Sequence, residues 1–180
     1  AEVIKAVARS VLKPGFRRIF FLNGHGGNLI PASHALTELT DEDDEADAAH
    51  LALASWWDVA GEAMQAERHG MATPRLTHAC EYETSAMLSL RPDLVDQDAI
   101  REGEPRGEHP SKQAARWAGV QTFQRFHRRT QSGHMGNPEE ATAAKGESLL
   151  DAVVEQVVAF LEDFATWPPS QTLQHLEVSP

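Results

Sequence analysis

Apolar positions near the start of the chain recur at helical spacing, at Val3, Ile4, Val7, Val11 and Leu12, and stop at Pro14-Gly15, which predicts an amphipathic helix with a defined end. The next run, Arg18-Ile19-Phe20-Phe21-Leu22, is almost continuously apolar, the pattern of a strand buried on both faces of a parallel sheet. It breaks at Asn23-Gly24-His25-Gly26-Gly27-Asn28. Helical spacing then returns from Leu29 to Leu39, with Asn28 as the expected N-cap and Pro31 tolerated in the first turn. These residues predict a strand, a tight turn and a helix.

The acidic stretch from Asp41 to Asp47 reads as a solvated loop, because it lacks the spaced ligands and central Gly of a calcium loop. His50 to Trp57 predicts a second buried strand that ends in two indoles, and alternation of strands with helices points to a parallel α/β sheet. A helix is expected from about Glu83, with Ala86, Met87 and Leu90 on its apolar stripe and Arg91-Pro92 as its end. Residues 101–138 are rich in Gly, Pro, Arg and His and predict long loops or a lid. Glu139 to Phe164 has the longest helical pattern, with Ala143, Leu149, Leu150, Val153, Val154, Val157, Val158 and Leu161 expected to face the core.

At 180 residues the chain is one domain by size, expected over residues 1–167 with a terminal arm at 168–180. No apolar run approaches the ~20 residues a bilayer requires, so a membrane span is not expected. The net charge of −11 is opposite in sign to what phosphate-backbone binding needs, which argues against nucleic acid and leaves small-molecule substrates open. A single cysteine, Cys80, cannot form an internal disulfide, and the N-terminus has no long apolar signal core, so a cytoplasmic protein is expected. The chain begins without Met and inside a helical pattern, which reads as the remainder of a longer protein.

His25 carries the strongest local chemical signal. It sits in the turn after a buried strand, where open α/β folds bind ligands, between glycines that let a ligand approach the backbone. It could be a metal ligand, an oxyanion contact or simply a turn residue; the spacing matches neither common phosphate-binding glycine motif. His78, Glu81 and Glu83 gather an imidazole and two carboxylates within six residues, enough for metal ligation or acid–base work, although Glu83 could equally serve only the helix dipole. Cys80 reads as a small buried residue. Trp56 and Trp57 read as core, with one of them able to wall a pocket for a flat ligand.

Taken together, Phe21-Leu22-Asn23-Gly24-His25-Gly26-Gly27-Asn28 and His78-Ala79-Cys80-Glu81-Tyr82-Glu83-Thr84-Ser85 resemble the two central motifs of the creatininase family of metal-dependent amidohydrolases. Cys80 replaces that family's usual Gly. A third stretch, Gly136-Asn137-Pro138 followed by Ala141-Thr142-Ala143 and Gly146, resembles a further family motif with Asn137 in place of Asp.

The resemblance implies a three-layer α/β/α sandwich with a mainly parallel sheet, often assembled as a homo-oligomeric hexamer. It implies a divalent metal pair, Zn or Mn, that activates a water against an amide carbonyl. By position His25 and Glu83 would be metal ligands, His78 the acid–base residue that protonates the leaving nitrogen, and Gly26, Gly27 and Trp57 substrate contacts. The family's remaining ligands lie in an N-terminal segment ahead of the matched region, so the chain reads as N-terminally truncated. The first motif has Gly27 where the creatinine-hydrolysing member has a ligating Glu, which turns the expectation from creatinine toward another cyclic amide or a formamide. A catalytically incomplete structural or regulatory subunit is the alternative, and a phosphate- or nucleotide-binding module a third reading.

Overall fold

The structure, a computed structural model, describes residues 1–102, 123, 125–130 and 132–169. The expected loops at 101–138 fall in large part, and the expected terminal arm almost entirely, outside the described residues. In chain order the helices and strands are α1 (Glu2–Leu12), β1 (Arg18–Asn23), α2 (Gly26–Glu42), α3 (Asp44–Asp47), β2 (His50–Ser55), α4 (Trp56–Ala60), α5 (Ala66–His69), α6 (Glu81–Leu90), α7 (Gln97–Glu102) and α8 (Ala143–Thr166). They divide into two compact units, Ala1–Ala60 with Glu155–Pro180, and Gly61–Val154. Among the described residues no helix is long and apolar enough to cross a membrane.

In the first unit β1 and β2 pair in parallel, in register from Arg18 with His50 to Asn23 with Ser55. Side chains alternate across a strand, so Ile19, Phe21 and Leu51 share one face and pack with Ala8 and Leu12 of α1, Leu39 of α2 and Ala46 of α3. On the other face Phe20 meets the rings of Phe160 and Phe164 of α8, with centroids 4.6 and 6.5 Å apart. Helices thus cover both faces of parallel strands, which is the expected α/β/α layering. The expectation that β1 is buried on both faces fails at its end, where Leu22 is 49% exposed.

Residues 41–47 are solvated as expected at Asp41, Glu42, Asp44, Glu45 and Asp47, but they are helical rather than a loop. Asp41 and Glu42 complete α2, and Asp43 caps α3, its Oδ1 accepting the N–H groups of Glu45 and Ala46 at 3.0 and 3.3 Å. Charge explains why the run folds. The buried Lys5 Nζ lies 2.9 Å from Glu38 and 3.0 Å from Glu42, and Arg9 reaches Glu42 at 2.9 Å. Trp56 and Trp57 also depart from expectation, since β2 ends at Ser55 and both indoles open α4.

In the second unit the buried face of α6 is Glu81, Tyr82 and Ser85, whereas Met87 and Leu90 of the expected stripe are exposed. Helix α6 begins at Glu81 rather than Glu83, and α8 begins at Ala143 rather than Glu139 because Pro138–Glu140 form a separate 3-10 turn. Thr142 then caps α8, its Oγ1 accepting the Lys145 N–H at 3.2 Å. Along α8 Leu149, Val153 and Phe164 are buried, but Val154, Val158 and Leu161 of the expected stripe are exposed.

Gly146 explains the tight approach of α8 to α6: a Cβ there would lie 1.9 Å from the Ser85 carbonyl oxygen. Gly146→Ala should therefore force the helices apart and lower stability by about 3 kcal/mol, the upper range for overpacking, as read from urea unfolding midpoints.

A second outcome concerns pH. Hydrogen bonds from Lys5 hold the Glu38 and Glu42 carboxyls below their ordinary 4.5, and the same contacts hold Lys5 above 10.5. Stability from the carboxylates is present above their unfolded value and is lost as pH falls through the lowered folded values. That from Lys5 is full below its unfolded value and is lost as pH rises through the raised one. Lys5→Met should reduce the loss of stability on both flanks, measured as the unfolding midpoint against pH, and leave the neutral plateau flat.

Candidate active site

The first unit presents His25 two residues beyond the end of β1. Asn23, the last strand residue, is buried, and it grips the His25 backbone from both sides. Its Nδ2 donates to the His25 carbonyl at 2.9 Å, and its Oδ1 accepts the His25 N–H at 3.2 Å. The same Nδ2 donates to Ser55 Oγ at 2.9 Å, tying the turn to the end of β2. His25, not Asn28, is the N-cap of α2; Asn28 lies in the first turn and donates its N–H to the His25 carbonyl at 3.0 Å. Pro31 therefore stands deeper in the helix than expected.

The exposed imidazole of His25 folds back over Gly27, where a Cβ would come 2.9 Å from Nε2. Gly27 is thus the residue that makes room for the ring, while Gly26 faces open space. Trp57 is half-buried in α4, its ring edge-on to Trp56 with centroids 5.4 Å apart. His25 and Trp57 each stand two residues beyond the Asn23–Ser55 pair, at the carboxyl ends of the parallel strands.

The second unit holds His78 and Glu83. His78 is exposed, its ring tilted against Phe126 at 4.4 Å between centroids. Its backbone is fixed by the loop opposite: Met135 N–H donates to the His78 carbonyl at 2.8 Å, and Thr77 Oγ1 donates to the Met135 carbonyl at 3.0 Å. Ala79, the next residue, has φ +43°, a left-handed conformation that costs a residue with a Cβ about 1–2 kcal/mol. Glu83 in the first turn of α6 reaches back and accepts the Ala79 N–H on Oε2, which steadies that conformation. Ligating carboxylates are commonly held this way, and so are helix caps.

Glu81 has a different job from the one its type allowed. It is fully buried, and its carboxylate accepts the Ala72 N–H at 3.0 Å, the Thr73 N–H at 2.6 Å and the Lys145 ammonium at 2.6 Å. Burial pushes the Glu81 carboxyl up, but these donors outweigh it and hold it below its ordinary value. Three residues of the third motif pack on or bond to this loop and α6. A Cβ on Gly136, whose φ is +90°, would come 2.9 Å from Cys80 Cβ; Asn137 N–H donates to Thr73 Oγ1 at 3.2 Å, and Thr142 N–H to Ser85 Oγ at 3.2 Å. Cys80 is buried, with the Thr77 N–H on its sulfur at 3.3 Å.

The creatinine amidohydrolase family model, named Creatininase, matches residues 1–161. The chain belongs to the creatininase family. Among curated proteins, the mycofactocin precursor peptide peptidase of Mycobacterium ulcerans (strain Agy99) is 28% identical over 152 residues, 84% of this chain and 50% of that protein. A protein of Bacteroides fragilis NCTC 9343 described as a creatinine amidohydrolase superposes with a TM-score of 0.74 at 25% identity, over 94% of this chain and 62% of that one. A manganese creatininase superposes with a TM-score of 0.69 at 24% identity, over 90% of this chain and 62% of that one. The chain thus spans about half the length of the curated relative and 62% of these solved structures.

Creatininases are metal enzymes, and the imidazole of His25 and carboxylate of Glu83 are donor types that zinc and manganese accept. The number of donors does not fit. A catalytic zinc site takes about three protein ligands, and among the described residues no three His, Cys, Asp or Glu side chains gather as a metal site. The residues that sequence reasoning passed over are Asn23 and Met135, which hold the backbone of the exposed histidines, Ser55, which holds the Asn23 side chain, and Lys145, which pairs with Glu81. One signal was available: both apolar strand runs end in a small polar residue, Asn23 and Ser55.

Removing Lys145 tests the loop. Lys145→Met leaves the Glu81 carboxylate buried without its cation and should cost about 3–5 kcal/mol in urea unfolding. Because Glu81 sits below its ordinary 4.5, its stabilising share is lost as pH falls through the lowered value, and the variant should show a smaller acid-side loss.

Proposed function

We propose that this chain is the proton-transfer portion of a metal-dependent hydrolase of amide-type C–N bonds. In this reading His25 and Glu83 are ligands of a divalent metal, Zn or Mn, and His78 gives the proton that lets the amine leave. The observation that carries it is the presentation of His78: an exposed imidazole on a loop clamped by Met135 and by the Glu83–Ala79 bond, beside an alanine held at positive φ. Strain of this kind persists where surrounding structure over-determines a conformation, and such places cluster at active sites. A histidine aimed this way can protonate a poor nitrogen leaving group near neutral pH.

The substrate in this reading is a small molecule with a cyclic amide or formamide bond, approached past Gly26, Gly27 and Trp57. The peptidase name of the Mycobacterium relative adds a peptide C–N bond to the candidates. A second reading, favoured by the count of two ligands, is a catalytically incomplete member acting as a structural or regulatory subunit.

Elemental analysis after dialysis, together with turnover of a panel of cyclic amides, formamides and short peptides, separates the two. The hydrolase reading expects bound metal that falls in His25→Ala and Glu83→Gln. It also expects His78→Ala to retain the metal while losing about 10²–10⁴ in rate, the range for a general acid–base group. Absence of metal and turnover in every form would establish the incomplete-subunit reading.

A further inference from the structure

The chain carries a net charge of −11, and five of its described cations stand beside carboxylates. Lys5 pairs with Glu38 and Glu42, Arg9 with Glu42, Arg17 with Glu45, Arg91 with Asp93 and Lys145 with Glu81. The segment Arg125-Phe126-His127-Arg128-Arg129 concentrates four basic side chains in five residues. Among the described residues none of its three arginines has a carboxylate partner within ion-pair distance. Arg125, His127 and Arg128 are exposed, and Arg129 lies over the Phe126 ring at 5.8 Å from its centroid. Phe126 in turn touches the ring of His78, at 4.4 Å.

An aromatic ring therefore sits between a proton-transfer histidine and unneutralised guanidinium groups. Guanidinium forks match carboxylate and phosphate oxygens, and the hydrogen bonds they form to these are charge-assisted. Exposed guanidinium groups without a carboxylate partner are open to an anion that reaches them.

We infer that Arg125, Arg128 and Arg129 form the anion-binding wall of the site at His78, and that the substrate carries a carboxylate or phosphate group on the side of the scissile bond facing Phe126. The inference rests on the reading of His78 as the acid–base residue, and it narrows the substrate from any amide to an anionic one. Phe126 has a positioning role: its ring fixes the imidazole while its other contact, the Arg129 guanidinium, addresses the anion.

The test needs neither metal nor turnover. The isotope-labelled full chain is titrated with inorganic phosphate, with N-acetylglycine and with N-acetylglycinamide, while the arginine Nε–H and histidine ring signals are followed by NMR. A charged probe should move the Arg128 and Arg129 Nε–H signals and the His78 ring, and the neutral amide should not. Whichever charged probe binds tighter identifies the group as phosphate or carboxylate. The double variant Arg125→Ala/Arg128→Ala should weaken binding at least about tenfold. Arg125→Lys/Arg128→Lys should recover part of the loss, which a merely structural role would not produce.

Equal shifts from the neutral amide, or undiminished binding by the double alanine variant with its unfolding midpoint unchanged, would overturn the inference. Anion binding at these residues in a chain that hydrolyses nothing would support the anion wall and count against the hydrolase reading. Hydrolysis whose KM ignores both the substrate's charge and the double variant would do the reverse.

Discussion

Glu81 is a carboxylate removed entirely from water, and such a charge is tolerated only when its lone pairs are met in full. Its partners come from two places in the sequence: the peptide groups at Ala72 and Thr73, and Lys145 near the start of α8. Meeting that demand closes the loop from residue 72 to 81 back on itself and draws the start of α8 toward α6. Gly146 allows the approach, and Thr142 and Ser85 finish it. His78 lies on the closed loop. Its exposure is thus a by-product of a buried charge one helical position before Tyr82, and among the described residues no hydrogen bond holds the imidazole itself.

The first unit solves a similar problem without charge. His25 must leave a buried strand, turn and start a helix within three residues, and the backbone groups exposed by that turn need partners. Asn23 supplies them from inside the sheet, with Ser55 holding the amide from the neighbouring strand. In both units the histidine's backbone is fixed and its ring is left exposed. That division suits groups whose rings must bind a ligand or exchange a proton, because a side-chain hydrogen bond made in the resting state would have to be broken first.

The sequence pattern resolved what depends on local periodicity and on motif spacing. The first helix, both strands, their parallel pairing and the helix after each histidine were legible, because continuous apolar runs and breaker residues mark them. Helix faces were not. Ala86, Met87 and Leu90 looked like a core stripe, yet α6 buries Glu81, Tyr82 and Ser85, since its neighbours are a carboxylate-seeking loop and a glycine on α8 rather than an apolar wall. The acidic run at 41–47 was opaque for the same reason. Its carboxylates are solvated as they looked, but their helical order depends on Lys5 and Arg9, more than thirty residues away, which reach Glu42. The motif residues His25, His78 and Glu83 were visible as types, but the grip of Asn23 on the His25 backbone and the strain at Ala79 exist only once the chain is folded.

Charge distribution joins these observations to substrate choice. A chain with a net charge of −11 opposes the approach of any anion, but at physiological salt the Debye length is only about 8 Å, so distant carboxylates contribute little at a surface site. What an anion meets near Phe126 is set by the groups within that distance. There the described cations outnumber their partners, whereas around α1 and α2 each lysine or arginine of the ion-pair cluster is matched by acid. The same acidic surface would turn away polyanions, whose charges extend well beyond one Debye length, while admitting a small anion that ends at the arginines. Under the anion wall proposed above, the ring of Phe126 would set the spacing between the captured charge and His78, so the favoured substrate would be one whose anionic group and scissile nitrogen are separated by about the width of an aromatic side chain.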